Sequence, residues 1–370
     1  MARGTAKFDA AILQRLRASR EVGGHLLSAT ELAKLLGTSK ARVLAYEAGS
    51  SVPEPGRIRE IAQIFRVHPR ELYEPTRGRY DQIKDLRSYA GLTAAELAAQ
   101  IGVSRTTYRD IENLAILPVR DDGTLPLRLS EALGIPLRMV HRSLDHHPVA
   151  ADRRAAIAKH LTSIFDRAHV QYQPAVVDPD EAPLVEITEL LRRPASVVCR
   201  LVNHELGLYR NLLKRHAIAS LSVAYAQSTK ASEDAIREGE VLERQITEHP
   251  VRAAATLVRF LAEAMTSQQW RTVVTLLEAG SVWAPEQAEH EEAPVWQALS
   301  ARGIVVAERE RASAPDGVRM NITAEGWRLS IQQAPLYGCL YPRVASPRPS
   351  TRTATRVHRP QVPYAASGGP

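Results

Sequence analysis

Ser28-Ala29-Thr30-Glu31-Leu32-Ala33-Lys34-Leu35-Leu36-Gly37-Thr38-Ser39-Lys40-Ala41-Arg42-Val43, running on through Tyr46 to Glu47, is a stretch whose residue types call for two helices joined by a sharp turn. Ser28 followed three residues later by Glu31 is a capping box, in which each side chain satisfies a backbone N–H left over at a helix start. Leu32, Leu35 and Leu36 form a buried stripe at helical spacing, and Ala33 is small enough to let a second helix cross closely. Gly37 suits the left-handed conformation that ends a helix, and Ser39 suits the cap of the next one. Val43, Tyr46 and Glu47 continue that second helix, leaving Lys40, Ala41, Arg42, Leu44, Ala45 and Ala48 on its remaining sides.

The same grammar returns in Thr93-Ala94-Ala95-Glu96-Leu97-Ala98-Ala99-Gln100-Ile101-Gly102-Val103-Ser104-Arg105-Thr106-Thr107-Tyr108. Glu31/Glu96, Leu32/Leu97, Ala33/Ala98, Gly37/Gly102, Ser39/Ser104, Glu47/Glu112 and Pro53/Pro118 match without a gap, which points to an internal duplication. Upstream of the first stretch, Phe8, Ile12, Leu13 and Leu16 predict a helix interrupted by Gly23-Gly24. Downstream, the Gly49 to Pro53 loop leads into a predicted amphipathic helix of Ile58, Ile61, Ala62 and Phe65, closed by Val67 and Leu72. In the second stretch a loop longer by three residues, around Arg120-Asp121-Asp122-Gly123, precedes Leu129, Leu133, Ile135 and Val140, which answer Ile61, Phe65, Val67 and Leu72.

Glu-Leu-Ala, the turn glycine, the serine that opens the next helix and the glutamate near its end are the features by which both segments resemble the Cro/C1-type, phage-repressor-like (XRE) helix-turn-helix domain. The resemblance covers 8–75 and 79–146. It implies five short helices per domain, with the third presented to the DNA major groove. The implied DNA-binding residues are Ser39, Lys40, Ala41, Arg42 and Ala45 in the first copy, and Ser104, Arg105, Thr106, Thr107, Arg109 and Asn113 in the second. Glu47 and Glu112 are expected as buried, paired glutamates. The family often carries Gln where Ala29 and Ala94 stand, and Asp121-Asp122 falls in a loop that approaches phosphates in that family and would repel them. Alanines dominate the first reading face, whereas Arg105, Thr106, Thr107 and Asn113 can hydrogen-bond base edges. The second copy is therefore expected to read sequence and the first mainly to position.

The remainder reads as a helical linker or oligomerisation region over 150–262, with an acidic hinge around Asp178-Pro179-Asp180, a charged helix over Glu233 to Glu248 and a more apolar one over Val251 to Met265. Over 263–334, predicted helices around Trp270 and Trp296, strand-like Ile304-Val305-Val306, the turn Pro315-Asp316-Gly317, alternating Val318 to Ile322 and Thr323-Ala324-Glu325-Gly326 resemble the wing of MarR/PadR-like winged helices. Glu286, Glu289, Glu291 and Glu292 make the helix that would enter DNA acidic, which favours dimerisation or protein contact for this unit. Residues 335–370 are Pro- and Arg-rich and are expected to be disordered. The fold class is thus mainly all-α: two tandem five-helix domains, a helical middle region and a C-terminal winged-helix-like α+β unit.

Composition agrees with this organisation. The 370 residues are 44% hydrophobic and 24% charged with a net charge of +7, values of a globular protein whose modest excess of base favours a polyanionic partner. Two cysteines, Cys199 and Cys339, are too few for a disulfide framework and lack metal-ligand spacing, and His141, His146 and His147 read as solvated loop residues. There is no nucleotide-binding loop, nucleophile elbow, signal-peptide core or membrane-length apolar run, so no cofactor, metal, membrane or catalytic role is expected, and the cytoplasm is the expected compartment. The expected partners are double-stranded DNA and a second copy of the chain, joined through the helical C-terminal half. The corresponding function is that of a bacterial, plasmid or phage transcription regulator of the repressor-like kind. The alternative is a protein-interaction scaffold in plasmid or phage maintenance that uses the same folds for assembly.

Overall fold

Helical periodicity dominates the apolar pattern, and the computed structural model of the chain is mainly all-α. It describes residues 7–74, 80–118, 123–169, 176–285, 293–308 and 317–344. Two compact units result: Met1–Pro118 with Leu125–Asp152, and Val119–Thr124 with Arg153–Pro370.

In the first unit, α1 (Ala10–Ser19) is capped by Asp9, whose carboxylate accepts from the backbone N–H groups of Ala11 and Ile12. A two-residue hairpin, β1 (Glu21–Val22) with β2 (His25–Leu26), turns at Gly23-Gly24 and leads into α2 (Ala29–Leu35), α3 (Lys40–Glu47) and α4 (Pro55–Phe65). The fifth element is a 3-10 turn, Pro69–Leu72, and Tyr73 beyond it bridges back to Phe8. The second set is α5 (Ile83–Tyr89), α6 (Ala94–Gln100), α7 (Arg105–Leu114), α8 (Leu125–Leu133) and α9 (Leu137–Asp145). Leu13, Leu32, Val43, Ile61 and Phe65 from the first set and Ile83, Leu97, Tyr108, Ile111 and Leu129 from the second belong to one continuous hydrophobic cluster. The two sets thus share a core and are not strung apart. His147 is buried rather than solvated, and His146 stacks on Tyr80 with ring centroids 3.8 Å apart, because the end of α9 packs back into this unit.

The division between the units falls within α10 (Pro148–Asp166). The second unit continues with α11 (Ala182–Leu191), α12 (Ala195–Ala224) and α13 (Thr229–Glu263). Arg215 meets Glu238 and Glu205 meets His249, so α12 and α13 run antiparallel as a long hairpin. Predicted as two helices flanking Pro250, α13 is a single one. His249 and Pro250 are buried among α12 neighbours, and that packing outweighs the hydrogen bond that proline forfeits. There follow α14 (Ser267–Ala279), β3 (Ser281–Pro285), α15 (Ala293–Ala301), β4 (Val305–Glu308), β5 (Gly317–Ile322) and α16 (Ala324–Leu340). The sheet is antiparallel in the order β3-β5-β4, with Val282 opposite Met320 and Val306 opposite Asn321. β3 was not foreseen, being short and ending in proline.

Residues 335–344 do not behave as a tail. α16 runs through Pro335 to Leu340, and Tyr337 is fully buried, stacked 4.2 Å from Trp270, with its hydroxyl accepting from the Met265 N–H at 2.9 Å. Trp270 and Trp296 are core residues, and Trp327 packs partly buried against the same core. Asp121 and Asp122, the four glutamates between 286 and 292, the Pro315-Asp316 turn and the 345–370 segment lie outside the described residues.

Candidate nucleic-acid interface

The helix ends position α3 and α7. At the start of α2, Ser28 Oγ accepts from the Glu31 N–H at 3.2 Å, and the Glu31 carboxylate accepts from the Ser28 N–H at 2.7 Å. At α6, Thr93 and Glu96 make the same two bonds at 3.2 and 2.7 Å. Donation from the Ser28 and Thr93 backbone N–H groups holds both glutamates below the ordinary carboxylate value. The C-terminal ends also agree. Gly37 (φ +58°) donates to Lys34 O at 3.1 Å and Thr38 to Ala33 O at 2.9 Å, while Gly102 (φ +68°) donates to Ala99 O at 3.1 Å and Val103 to Ala98 O at 3.0 Å. Both are Schellman closures that need a left-handed residue, and glycine supplies it without steric cost. Ser39 Oγ then accepts from the Arg42 N–H (3.2 Å) to start α3, and Ser104 Oγ from the Thr107 N–H (3.1 Å) to start α7.

Arginines that sequence comparison missed hold these helices in place. Arg17 Nε and Nη2 grip the two Glu47 oxygens at 2.5 and 2.9 Å, and its Nη1 reaches Leu27 O at 3.4 Å. In the second set, Arg87 Nη2 meets Glu112 Oε1 at 2.9 Å and Nη1 meets Leu92 O at 2.9 Å. Each arginine therefore ties the end of α3 or α7 to the residue just before the α2 or α6 cap. The predicted burial and pairing of Glu47 and Glu112 is what the structure displays, with side chains 5% and 9% exposed. Leu36 O, one residue before the turn glycine, accepts from Arg57, and Ile101 O accepts from Arg128 at 2.7 Å. These arginines escape an ungapped comparison. The hairpin makes Arg17 stand five residues farther from its cap than Arg87, and Arg57 stands four residues before Ile61 whereas Arg128 stands one residue before its counterpart Leu129. Tyr108 takes the place of Val43, its hydroxyl beside the Arg87–Glu112 pair, and burial pushes its pKa well above the ordinary tyrosine value.

Ser39, Lys40, Ala41 and Arg42 are exposed on α3, with Leu44 and Ala48 beside them, and Ala45 is half-buried. Arg42 lies back along its helix, Nε donating to Tyr46 Oη at 3.2 Å. On α7, Ser104, Arg105, Thr106, Arg109 and Asn113 are exposed, while Thr107 is half-buried and its hydroxyl lies 2.9 Å from Ser104 Oγ. Thr107 thus serves the cap, and the side chains that α7 offers outward are Arg105, Thr106, Arg109 and Asn113. α3 gives way through Ala48 to a left-handed Gly49, whereas α7 runs two residues farther, to Leu114, and is closed by Ala115, itself left-handed (φ +49°).

The family model described as Helix-turn-helix matches residues 16–72. Residues 16–72 form a helix-turn-helix domain of the Cro/C1 type. With it the chain carries a module that binds double-stranded DNA in transcription regulation, α2 and α3 being the helix-turn-helix proper. No curated protein and no solved structure matches the chain. Among the described residues, no group of three or more His, Cys, Asp or Glu side chains can hold a metal ion, and no helix is long and apolar enough to cross a membrane.

Proposed function

We propose that the chain is a sequence-specific, double-stranded-DNA-binding transcription regulator with two helix-turn-helix heads, α1–α4 with the following 3-10 turn and α5–α9. The observation that carries this reading is the recurrence in the second set of five polar features that shape the helix-turn-helix domain of the first. The recurring contacts are the capping box, the Schellman turn, the serine cap, the buried Arg–Glu pair and the arginine on the carbonyl before the turn glycine. A pair of helices that only packed together would not need this set twice.

In this reading α7 reads bases through Arg105, Thr106, Arg109 and Asn113, and α3 positions the complex through Lys40 and Arg42 on phosphates. The second unit couples two chains: around the far end of the α12–α13 hairpin Ile218, Leu221, Tyr225, Ile236 and Val241 stand exposed, apolar surface of the kind a partner helix covers. The β3-β5-β4 unit, which resembles a winged helix, then serves assembly rather than a third DNA contact.

The test is selection of bound fragments from genomic DNA, followed by titration of a selected duplex at two salt concentrations, since phosphate-driven binding weakens as salt rises. Arg105→Ala relaxes preference at one base position by about 1–3 kcal/mol, whereas Lys40→Ala weakens all sequences alike and lowers the salt slope by about 1. Absence of binding at low salt would overturn the reading and leave the assembly scaffold.

A further inference from the structure

Resting on the reading of α3 and α7 as DNA-docking helices, we infer that the two heads contact each other head to tail, so that the DNA site of one chain is a direct, same-direction arrangement of half-sites and not a palindrome. Two related bodies that meet about a two-fold axis use the same patch on each side: if residue i of one meets j of the other, then j meets i. The contact between these heads does not have that property.

The first head contributes α4 and the segment after its 3-10 turn, and the second contributes the end of α5, the following turn and the start of α6. Tyr73 Oη donates to Ser88 O at 3.0 Å, and its ring meets Tyr89 edge-on at 5.2 Å. The Arg70 guanidinium lies over the Tyr89 ring at 5.3 Å, and Arg59 reaches Glu96 at 3.6 Å. At Gly91 (φ +68°) the backbone comes so close that an added Cβ would sit 2.5 Å from Arg59 Cβ and 3.2 Å from Pro55 O.

Among the described residues the reciprocal contact is missing. Arg17 and Arg87 occupy the same place in their heads, so Ala18 and Ser19 correspond to Ser88 and Tyr89. Ala18 and Ser19 are exposed, whereas Tyr89 is buried. Glu31, the counterpart of Glu96, pairs with His25 of its own hairpin at 3.5 Å. That hairpin occupies the turn between α1 and α2 where the second head has Gly91, and neither Gly23 nor Gly24 has anything within 4 Å of an added Cβ. The extra five residues of the first head therefore stand where a two-fold partner would have to dock. Packing through unlike patches relates α3 to α7 by something other than a dyad, and two such helices engaged on one duplex read it in the same direction.

The heads read with different side chains, so orientation has to be made visible. Transplanting the α7 reading residues onto α3 (Lys40→Arg, Ala41→Thr, Arg42→Thr, Leu44→Arg, Ala48→Asn), all at exposed positions, gives a full-length chain whose two heads want the same half-site. Selection from a randomised duplex library should return that half-site twice in the same direction, with a direct repeat bound about tenfold or more tighter than an inverted repeat of equal spacing. An inverted repeat overturns the inference. The wild-type chain provides a second measurement independent of the transplant: hydroxyl-radical footprints on a selected genomic fragment. Protections in the two halves that superpose by translation along the duplex support the inference. Protections related by a dyad, or confined to one half, overturn it while leaving DNA binding intact. Loss of all DNA binding by wild type would instead overturn the underlying reading of α3 and α7.

Discussion

Gly91→Ala is the substitution that most directly probes the contact between the heads, and Gly37→Ala is its control. Both glycines have φ in the left-handed region, +68° and +58°, so alanine at either costs about 1–2 kcal/mol in backbone strain. They differ in surroundings. A Cβ at Gly37 meets nothing within 4 Å, whereas one at Gly91 meets Arg59 Cβ at 2.5 Å and a backbone oxygen at 3.2 Å, so α4 and the α5–α6 turn must separate. Forcing a methyl into a packed contact adds about 1–3 kcal/mol, giving a total of about 2–5 kcal/mol at Gly91. At an m-value of roughly 2 kcal/mol/M, the two variants should differ in urea midpoint by about 0.5–1.5 M. The assay is urea unfolding of the full chain followed by far-UV ellipticity. All four tryptophans (Trp270, Trp283, Trp296 and Trp327) belong to the second unit, so their fluorescence reports that unit separately and should not shift. Equal midpoints for the two variants would refute the close approach of α4 and the α5–α6 turn, and with it the head-to-tail contact.

Two further outcomes follow from buried charge. Arg87→Ala strands Glu112, whose side chain is 9% exposed, and Arg17→Ala strands Glu47, 5% exposed; each should cost about 3–5 kcal/mol in the same unfolding assay, and a loss below about 1 kcal/mol at either, the size of an exposed pair, would contradict the burial argument. In the second unit, burial pushes Glu205 up to about 7 and lowers its neighbour His249, 3.4 Å away. An acid with a raised folded-state value binds more protons folded than unfolded, so its contribution to stability falls as pH rises from about 4.5 to about 7. Glu205→Gln, which mimics the protonated form, should match wild type near pH 4.5 and exceed it by up to about 3 kcal/mol at pH 8. Tryptophan-monitored denaturation across that range checks it, and a difference independent of pH would rule out a proton held on Glu205.

Local rules made much of the first helix-turn-helix domain legible. Ser28 with Glu31, Gly37 and Ser39 announce the cap, the turn and the next cap, because these bonds lie within three to five residues and depend on residue type alone. The echo at Thr93, Gly102 and Ser104 was legible for the same reason. That the half-buried Thr107 hydroxyl lies 2.9 Å from Ser104 Oγ was not legible, since the side chain that a cap recruits depends on rotamers and not on spacing. The limits of α13 and α16 were misplaced at Pro250 and Pro335, because burial of His249 and of Leu336-Tyr337 overrides a local breaker.

The sequence by itself determined where the helices of the first unit begin and turn, and which faces of α3 and α7 carry Lys40, Arg42, Arg105 and Asn113, since caps and periodicity are short-range. Only the tertiary structure decided which arginines clamp Glu47 and Glu112, that both helix sets share one core, and that they meet through unlike patches. Those contacts join residues 15 to 37 positions apart, as with Tyr73 and Ser88 or Arg59 and Glu96. At that separation no rule of spacing applies, and geometry is set by which surfaces exclude water together.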